Sequence, residues 1–152
     1  MIAPSFIVES NKIEGIRRLP TPDELMAHDW LLSLAVVRLG DLERFVKLVQ
    51  PGAVLRRNAG LNVRVGEHIA PLGGPEIEVQ LENLLERSEV VSGQQPYEIH
   101  EWYETLHPFT DGNGRSGRAL WLWMMKQRGE LDWALGLGFL HCWYYQSLQA
   151  AR

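Results

Sequence analysis

The sequence predicts an all-α fold, a helical bundle carrying one short β-hairpin. Apolar residues recur at helical spacing in one stretch after another. Leu42, Phe45, Val46 and Val49 form one set, Ile77, Leu81, Leu84 and Leu85 a second, and Ile99, Trp102, Tyr103 and Leu106 a third. Each set is spaced by threes and fours, which puts its residues on a single helix face. Alternation of period two occurs only at Val63-Arg64-Val65, where Gly66-Glu67 can turn and His68-Ile69-Ala70 can return. Nowhere do strands and helices alternate as a parallel sheet requires.

Taken in order, residues 1–8 read as extended and mobile. Ser10 is placed to cap a short helix over residues 11–18, which Leu19-Pro20-Thr21-Pro22 stops. Thr21-Pro22-Asp23-Glu24 starts the next helix with a capping threonine, a first-turn proline and acids at the positive end of the dipole. That helix is expected to run to about Leu39, with Gly40-Asp41 as its break. A third covers Leu42 to Val49 and ends at Pro51-Gly52. Residues 62–71 are the hairpin, and Leu72-Gly73-Gly74-Pro75 is a loop. Helices resume through Leu85 and, after Gly93-Gln94-Gln95-Pro96, from Ile99 to Leu106. Ala119 to Met125 is apolar on every side, the mark of a central buried helix. Gly129 ends it, and Asp132 starts a last helix to about Gln149.

A chain of 152 residues fits one domain with a real core. Its formal charge of −4 gives no general pull toward nucleic acid or an anionic membrane, so a phosphate ligand needs local basic groups. The six tryptophans point to an aromatic-rich core or an exposed docking face. Cys142, the single cysteine, fits a reducing compartment. The N-terminus lacks the basic start and apolar core of a signal peptide, and the apolar run from Leu131 to Tyr145 is too short to span a bilayer. The expectation is a soluble, cytoplasmic protein.

Chemistry concentrates in residues 107–118, H-P-F-T-D-G-N-G-R-S-G-R. Gly112, Gly114 and Gly117 match G-x-G-x-x-G, but that fingerprint follows a buried strand, and here the preceding residues are helical and charged. A Walker lysine and an H-E-x-x-H pair are both absent. His100 reads as a partly buried helix histidine. If a helix begins near Asn113, its first N–H groups point back toward Asp111 and His107, and Gly112 and Gly114 let backbone approach a phosphate. Arg115 and Arg118, at i and i+3, can both reach one phosphate chain. Asp111 is a hard oxygen ligand suited to Mg²⁺ on phosphates. His107 belongs to the residue type that titrates near neutral and can take a proton from a hydroxyl. An arginine pair is usually a solvated helix face, and a D-G-N-G run usually a turn; their joint occurrence points to phosphoryl or nucleotidyl transfer from a nucleoside triphosphate.

Residues 107–118 resemble the signature of the Fic family, H-P-F-x-D/E-G-N-G-R-x-x-R, at every defined position. The resemblance implies an all-helical Fic fold and transfer of AMP from ATP, with Mg²⁺, to a hydroxyl of a protein Ser, Thr or Tyr, the protein itself among the candidates. It implies His107 as the base and Asp111 as the Mg²⁺ ligand. Gly112, Asn113 and Gly114 would form the anion hole, Arg115 would hold the phosphates and Arg118 the γ-phosphate, with Phe109 as a buried anchor. The family's kinase-like branch has lysine where Gly114 stands, so nucleotidyl transfer is favoured.

Ser10-Asn11-Lys12-Ile13-Glu14-Gly15 resembles the family's inhibitory motif, S/T-x-x-x-E-G/N. In that role Glu14 would pair with Arg118 and deny it to the γ-phosphate, since one guanidinium cannot give the same bidentate bonds to both. Residues 62–71 correspond in order to the family's flap, in which Val63, Arg64 and Val65 would align the target segment as a strand added at the hairpin's edge. The chain thus reads as one domain, 1–152, with an inhibitory helix at 9–18, a flap at 62–71 and a catalytic loop at 107–118. Residues 130–152 match nothing in the family. The alternatives are a nucleotide-binding regulatory module with little transfer activity, and a Fic enzyme that removes AMP or uses another nucleotide.

Overall fold

In a computed structural model, the chain is described at residues 4–137 and at Leu148. Those residues include seven α-helices, one 3₁₀ turn at Val90–Ser92 and one antiparallel hairpin, a mostly helical fold as the hydrophobic periodicity predicts. The axis of the bundle is α6, Asn113–Gln127, in which every residue from Arg115 to Met125 is buried. It packs against α1 (Pro4–Ile13), α2 (Pro22–Ser33), α3 (Leu39–Val49), α5 (Pro96–Leu106) and α7 (Leu131–Leu137), while α4 (Pro75–Arg87) backs α3 and α5. Trp121 and Trp123 are in the core, whereas Trp133 is exposed. Trp123 also donates its indole N–H to the Leu34 carbonyl at 2.8 Å, which ties α6 to the end of α2.

Several boundaries differ from the sequence reading. The first helix begins at Pro4 and ends at Ile13, so residues 4–8 are helical and residues 14–18 are not. Phe6, Ile7, Ser10, Asn11 and Ile13 share its buried side, and this tertiary face outweighs the β propensity of the Phe-Ile-Val run. Ser10 therefore lies in the last turn and does not cap a start. The end is fixed by Gly15, at φ +77°, whose N–H bonds the Lys12 carbonyl while Ile16 N–H bonds the Asn11 carbonyl. That is a Schellman termination, the arrangement for which glycine is the favoured residue.

The second helix stops at Ser33. Gly40-Asp41 does not break it; the pair lies in the first turn of α3, where Asp41 Oδ2 accepts the Arg38 N–H at 2.9 Å. An acid three residues after the cap is a start signal, and it prevails over the glycine. The start of α2 is as expected, with Thr21 and Glu24 forming a reciprocal capping box. The last helix opens at Leu131, one position before Asp132. Apart from Leu148, which is buried, its expected course toward Gln149 lies outside the described residues, as does Cys142.

The hairpin pairs β1 (Arg64–Val65) with β2 (His68–Ile69), with Arg64 opposite Ile69 and Val65 opposite His68. Gly66, at φ +58°, supplies the left-handed turn position. A pairing that the alternation pattern did not signal joins residues 54–56 to the loop after α5. Leu55 bridges Phe109, the Arg56 N–H bonds the Pro108 carbonyl at 2.8 Å, and the Thr110 N–H bonds the Val54 carbonyl at 2.9 Å. One bridge is too short to produce alternation.

Candidate active site

The loop between α5 and α6 holds the predicted residues. His107 caps α5 in the left-handed conformation, φ 48°, the one described non-glycine residue with positive φ. Such a conformation costs about 1–3 kcal/mol and persists only where surroundings impose it. Its ring Nδ1 meets the Glu104 carbonyl. A carbonyl only accepts, so Nδ1 carries a proton and donates; in the neutral ring this tautomer puts the lone pair on Nε2. Phe109 is buried, as expected of an anchor. Asn113 binds it twice: its Oδ1 accepts the Phe109 N–H at 2.8 Å and its Nδ2 donates to the Phe109 carbonyl at 2.8 Å. The asparagine side chain is thus a clasp for the loop, and only its main-chain N–H faces the helix start.

Gly112, at φ +78°, turns the chain into α6. Its N–H is taken by Asp111 Oδ1 at 2.7 Å, so the open donors are the first-turn amides of Asn113, Gly114 and Arg115, which have no intrahelical acceptor. Asp111 is exposed at the loop's mouth. No cluster of three or more metal-ligating side chains exists among the described residues. One exposed carboxylate fits a Mg²⁺ that brings its remaining oxygens from phosphates and water, the usual manner of that ion.

Arg115 and Arg118 take different hydrogen-bond partners. Arg115 Nη1 donates to the Val49 carbonyl at 3.0 Å and Nη2 to Gln50 Oε1 at 2.5 Å, and Glu24 Oε2 stands 4.0 Å from Nη1. The buried Arg115 Nε has no partner among the described residues. Burial lowers the Arg115 pKa, and Glu14, Asp111 and Glu24 oppose that shift. Arg118 runs the other way, to α1. Its Nε donates to Ser10 Oγ at 2.8 Å, and its Nη2 to the Ser10 carbonyl at 2.9 Å and to Glu14 Oε1 at 2.8 Å. Ser10 and Glu14 lie four residues apart, one helical turn, so both face the same guanidinium. Gly15 ends the helix just beyond.

The Glu14 carboxylate also occupies the space above Gly114. A Cβ on Gly114 would lie 2.1 Å from Glu14 Oε1 and 3.0 Å from Arg118 Nη1. Glycine at 114 thus leaves room for an acidic group against the start of α6. The hairpin stands beside the loop, tied to α5 by His68 Nε2 and the Thr105 carbonyl at 3.0 Å. Val63, Arg64 and Val65 lie on or beside β1, and Val63 accepts the Ala70 N–H at 3.3 Å. The sheet has two strands, so β1 keeps one edge open within it.

His100 is fully buried, with Nδ1 3.0 Å from the Gly117 carbonyl, and serves packing between α5 and α6. Four residues at the site were not singled out by sequence. Glu24, buried on α2, holds Arg18 at 2.7 Å and Asn11 at 3.1 Å. Burial pushes its pKa up, but Arg18, the Thr21 N–H and Asn11 outweigh this and bring it to about 2. Gln50 and Val49 hold Arg115. Arg56 binds the backbone of His107; its one sequence signal is a charge ending the apolar run Ala53-Val54-Leu55.

Two comparisons bear on this geometry. A family model described as Fic/DOC family matches residues 34–125, which include the hairpin and the whole loop. No curated protein matches the chain.

Proposed function

The chain belongs to the Fic/DOC family, and from that premise we propose that it is a protein adenylyltransferase held inactive by its own first helix. It would move AMP from ATP to a hydroxyl of a protein Ser, Thr or Tyr. The observation that carries the inhibitory part is the 2.8 Å pair between Glu14 Oε1 and Arg118 Nη2 above Gly114. A phosphate entering there meets a carboxylate of its own sign.

Each residue has a share in the reaction. The hydroxyl of a target segment laid along β1, beside Val63, Arg64 and Val65, approaches His107 Nε2, which takes its proton. The oxygen attacks the α-phosphorus, the bond from that phosphorus to the β-phosphate oxygen breaks, and pyrophosphate leaves. The first-turn amides of α6 face the developing negative charge. Arg118, once released by Glu14, holds the γ-phosphate; Arg115 exchanges Gln50 for a phosphate oxygen. Mg²⁺ on Asp111 would neutralise phosphate charge. Among the described residues no helix is long and apolar enough to cross a membrane, and the cytoplasm supplies the ATP this chemistry needs.

The test compares wild type with Glu14→Gly, each incubated with Mg²⁺ and ATP labelled in the α or the γ position. Stronger α-label on protein in the variant supports the proposal. Label from the γ position alone assigns a kinase-like reaction instead, and equal labelling of both proteins removes Glu14 as the brake.

A further inference from the structure

Arg56 is completely buried, yet no ion pair joins it to an acid among the described residues. Its guanidinium is spent on four backbone carbonyls. Nε donates to His107 O at 2.6 Å and Nη2 to Leu106 O at 2.8 Å. Nη1 donates to Leu61 O at 3.0 Å and to Pro71 O at 2.7 Å. Its own main chain repeats the pattern, the N–H on Pro108 O at 2.8 Å and the carbonyl accepting Gly74 N–H at 2.9 Å. One side of the residue grips the end of α5 and the His107 turn. The other closes the neck of the hairpin, since Leu61 and Pro71 flank it on either strand.

From this arrangement we infer that Arg56 is a positioning residue that holds the flap and the base in one fixed relation. The inference rests on the adenylyl-transfer reading and extends it. Burying an arginine without a counter-ion is costly unless its donors are met. Carbonyls at a helix C-terminus are orphaned acceptors at the negative end of the dipole, so Leu106 and His107 suit a cation. The bond to His107 O fixes the peptide plane beyond a left-handed residue, and with it the direction of the imidazole. The planar fork spreads its donors over both segments, whereas a lysine nitrogen is a single point and cannot span them. A target strand added to β1 therefore arrives at a set distance from the base, and Arg56 sets it.

The experiment uses full-length Arg56→Lys and Arg56→Met, in wild type and in Glu14→Gly. Hydrogen exchange is followed over residues 61–71, 104–109 and 116–125. Replacement should speed exchange in the first two segments together, on the order of tenfold, the scale expected when a charged hydrogen bond is lost. Residues 116–125 should be unchanged. Mg-ATP binding by calorimetry should stay within about twofold, because Arg56 touches no phosphate-facing group. Self-transfer in the Glu14→Gly background should fall by at least roughly tenfold, as misplacement of reacting groups predicts.

Loosening of one segment only, or of neither, overturns the inference. So does a loss of ATP affinity that matches the loss of transfer, because it marks a general structural role. If the Glu14→Gly parent transfers nothing, the adenylyl-transfer reading fails while the exchange data still decide the clamp. If neither variant folds, the wild type decides: the amides of Arg56, Ala70 and Gly74 should open with one common denaturant dependence, and separate openings contradict the clamp.

Discussion

Glu14 reaches Arg118 across 104 positions of sequence, and each end of that contact has a different cost of removal. Glu14 is more than a third exposed while Arg118 is buried. Solvent screens the pair, so Glu14→Gly should lower stability by about 1 kcal/mol or less, and Arg118 keeps both of its bonds to Ser10. The same change should raise Mg-ATP-dependent protein labelling at least roughly tenfold, a coupling of ordinary size; thermal melting and a labelling assay measure the two. His107→Ala in that background should cut labelling by about 10²–10⁴, the usual share of a general base, with melting little changed. A variant that still labels at the parent rate contradicts His107 as the base. The Glu14–Arg118 contact was legible in the sequence because both residues sit in motifs. The course of Arg115 was not. Spacing along one helix says nothing of Val49 and Gln50, which α3 brings to it from 65 positions away or more.

Among the elements, the long amphipathic helices were legible and their junctions were not. The apolar stripes of α3, α4 and α5 lie where the periodicity put them. The first helix was misplaced because Ser10 resembles a start signal, whereas its real stop, Gly15, is a left-handed position that only coordinates reveal. Gly117, a variable position of the loop signature, sets how closely α5 and α6 pack. A Cβ there would meet Glu104 Oε1 at 2.1 Å and Tyr103 Cδ1 at 2.9 Å, both in buried residues. Gly117→Ala should therefore cost about 1–3 kcal/mol, the scale of overpacking, in denaturant titration. A cost below about 0.5 kcal/mol, typical of unconstrained surface sites, would mean that the two helices part without strain.

Across the whole molecule, the core carries a built-in acid sensitivity. His28 packs between Phe6 and Phe45 with its Nδ1 on the Glu24 carbonyl, and burial pulls its pKa down to about 4. Between that value and the ordinary 6.5, the unfolded chain binds the proton and the folded chain does not. Its contribution is present above pH 6.5 and lost as pH falls toward 4, by about 2 kcal/mol between pH 7 and 5. His28→Leu should remove that slope in denaturant titrations at the two pH values, and an unchanged slope places the sensitivity elsewhere. Glu24, whose pKa lies near 2, adds a loss in the same direction once pH falls through the ordinary carboxylate value of 4.5, so the comparison is made above it, between pH 7 and 5. The sequence revealed the class of fold, the hairpin and the loop, because each rests on local pattern. It did not reveal that α6 would turn Arg115 to Val49 and Gln50 of α3, which follows from packing alone.

In the proposed switch, Glu14 and a nucleotide phosphate compete for Arg118. Intact mass of the wild type, Glu14→Gly and the Glu14→Gly/His107→Ala pair, each after incubation with Mg-ATP, tests it most directly. Glu14→Gly should gain one or more AMP masses, and the other two none or little. A gain of phosphate mass, or no gain in Glu14→Gly under conditions where calorimetry shows ATP bound, contradicts it.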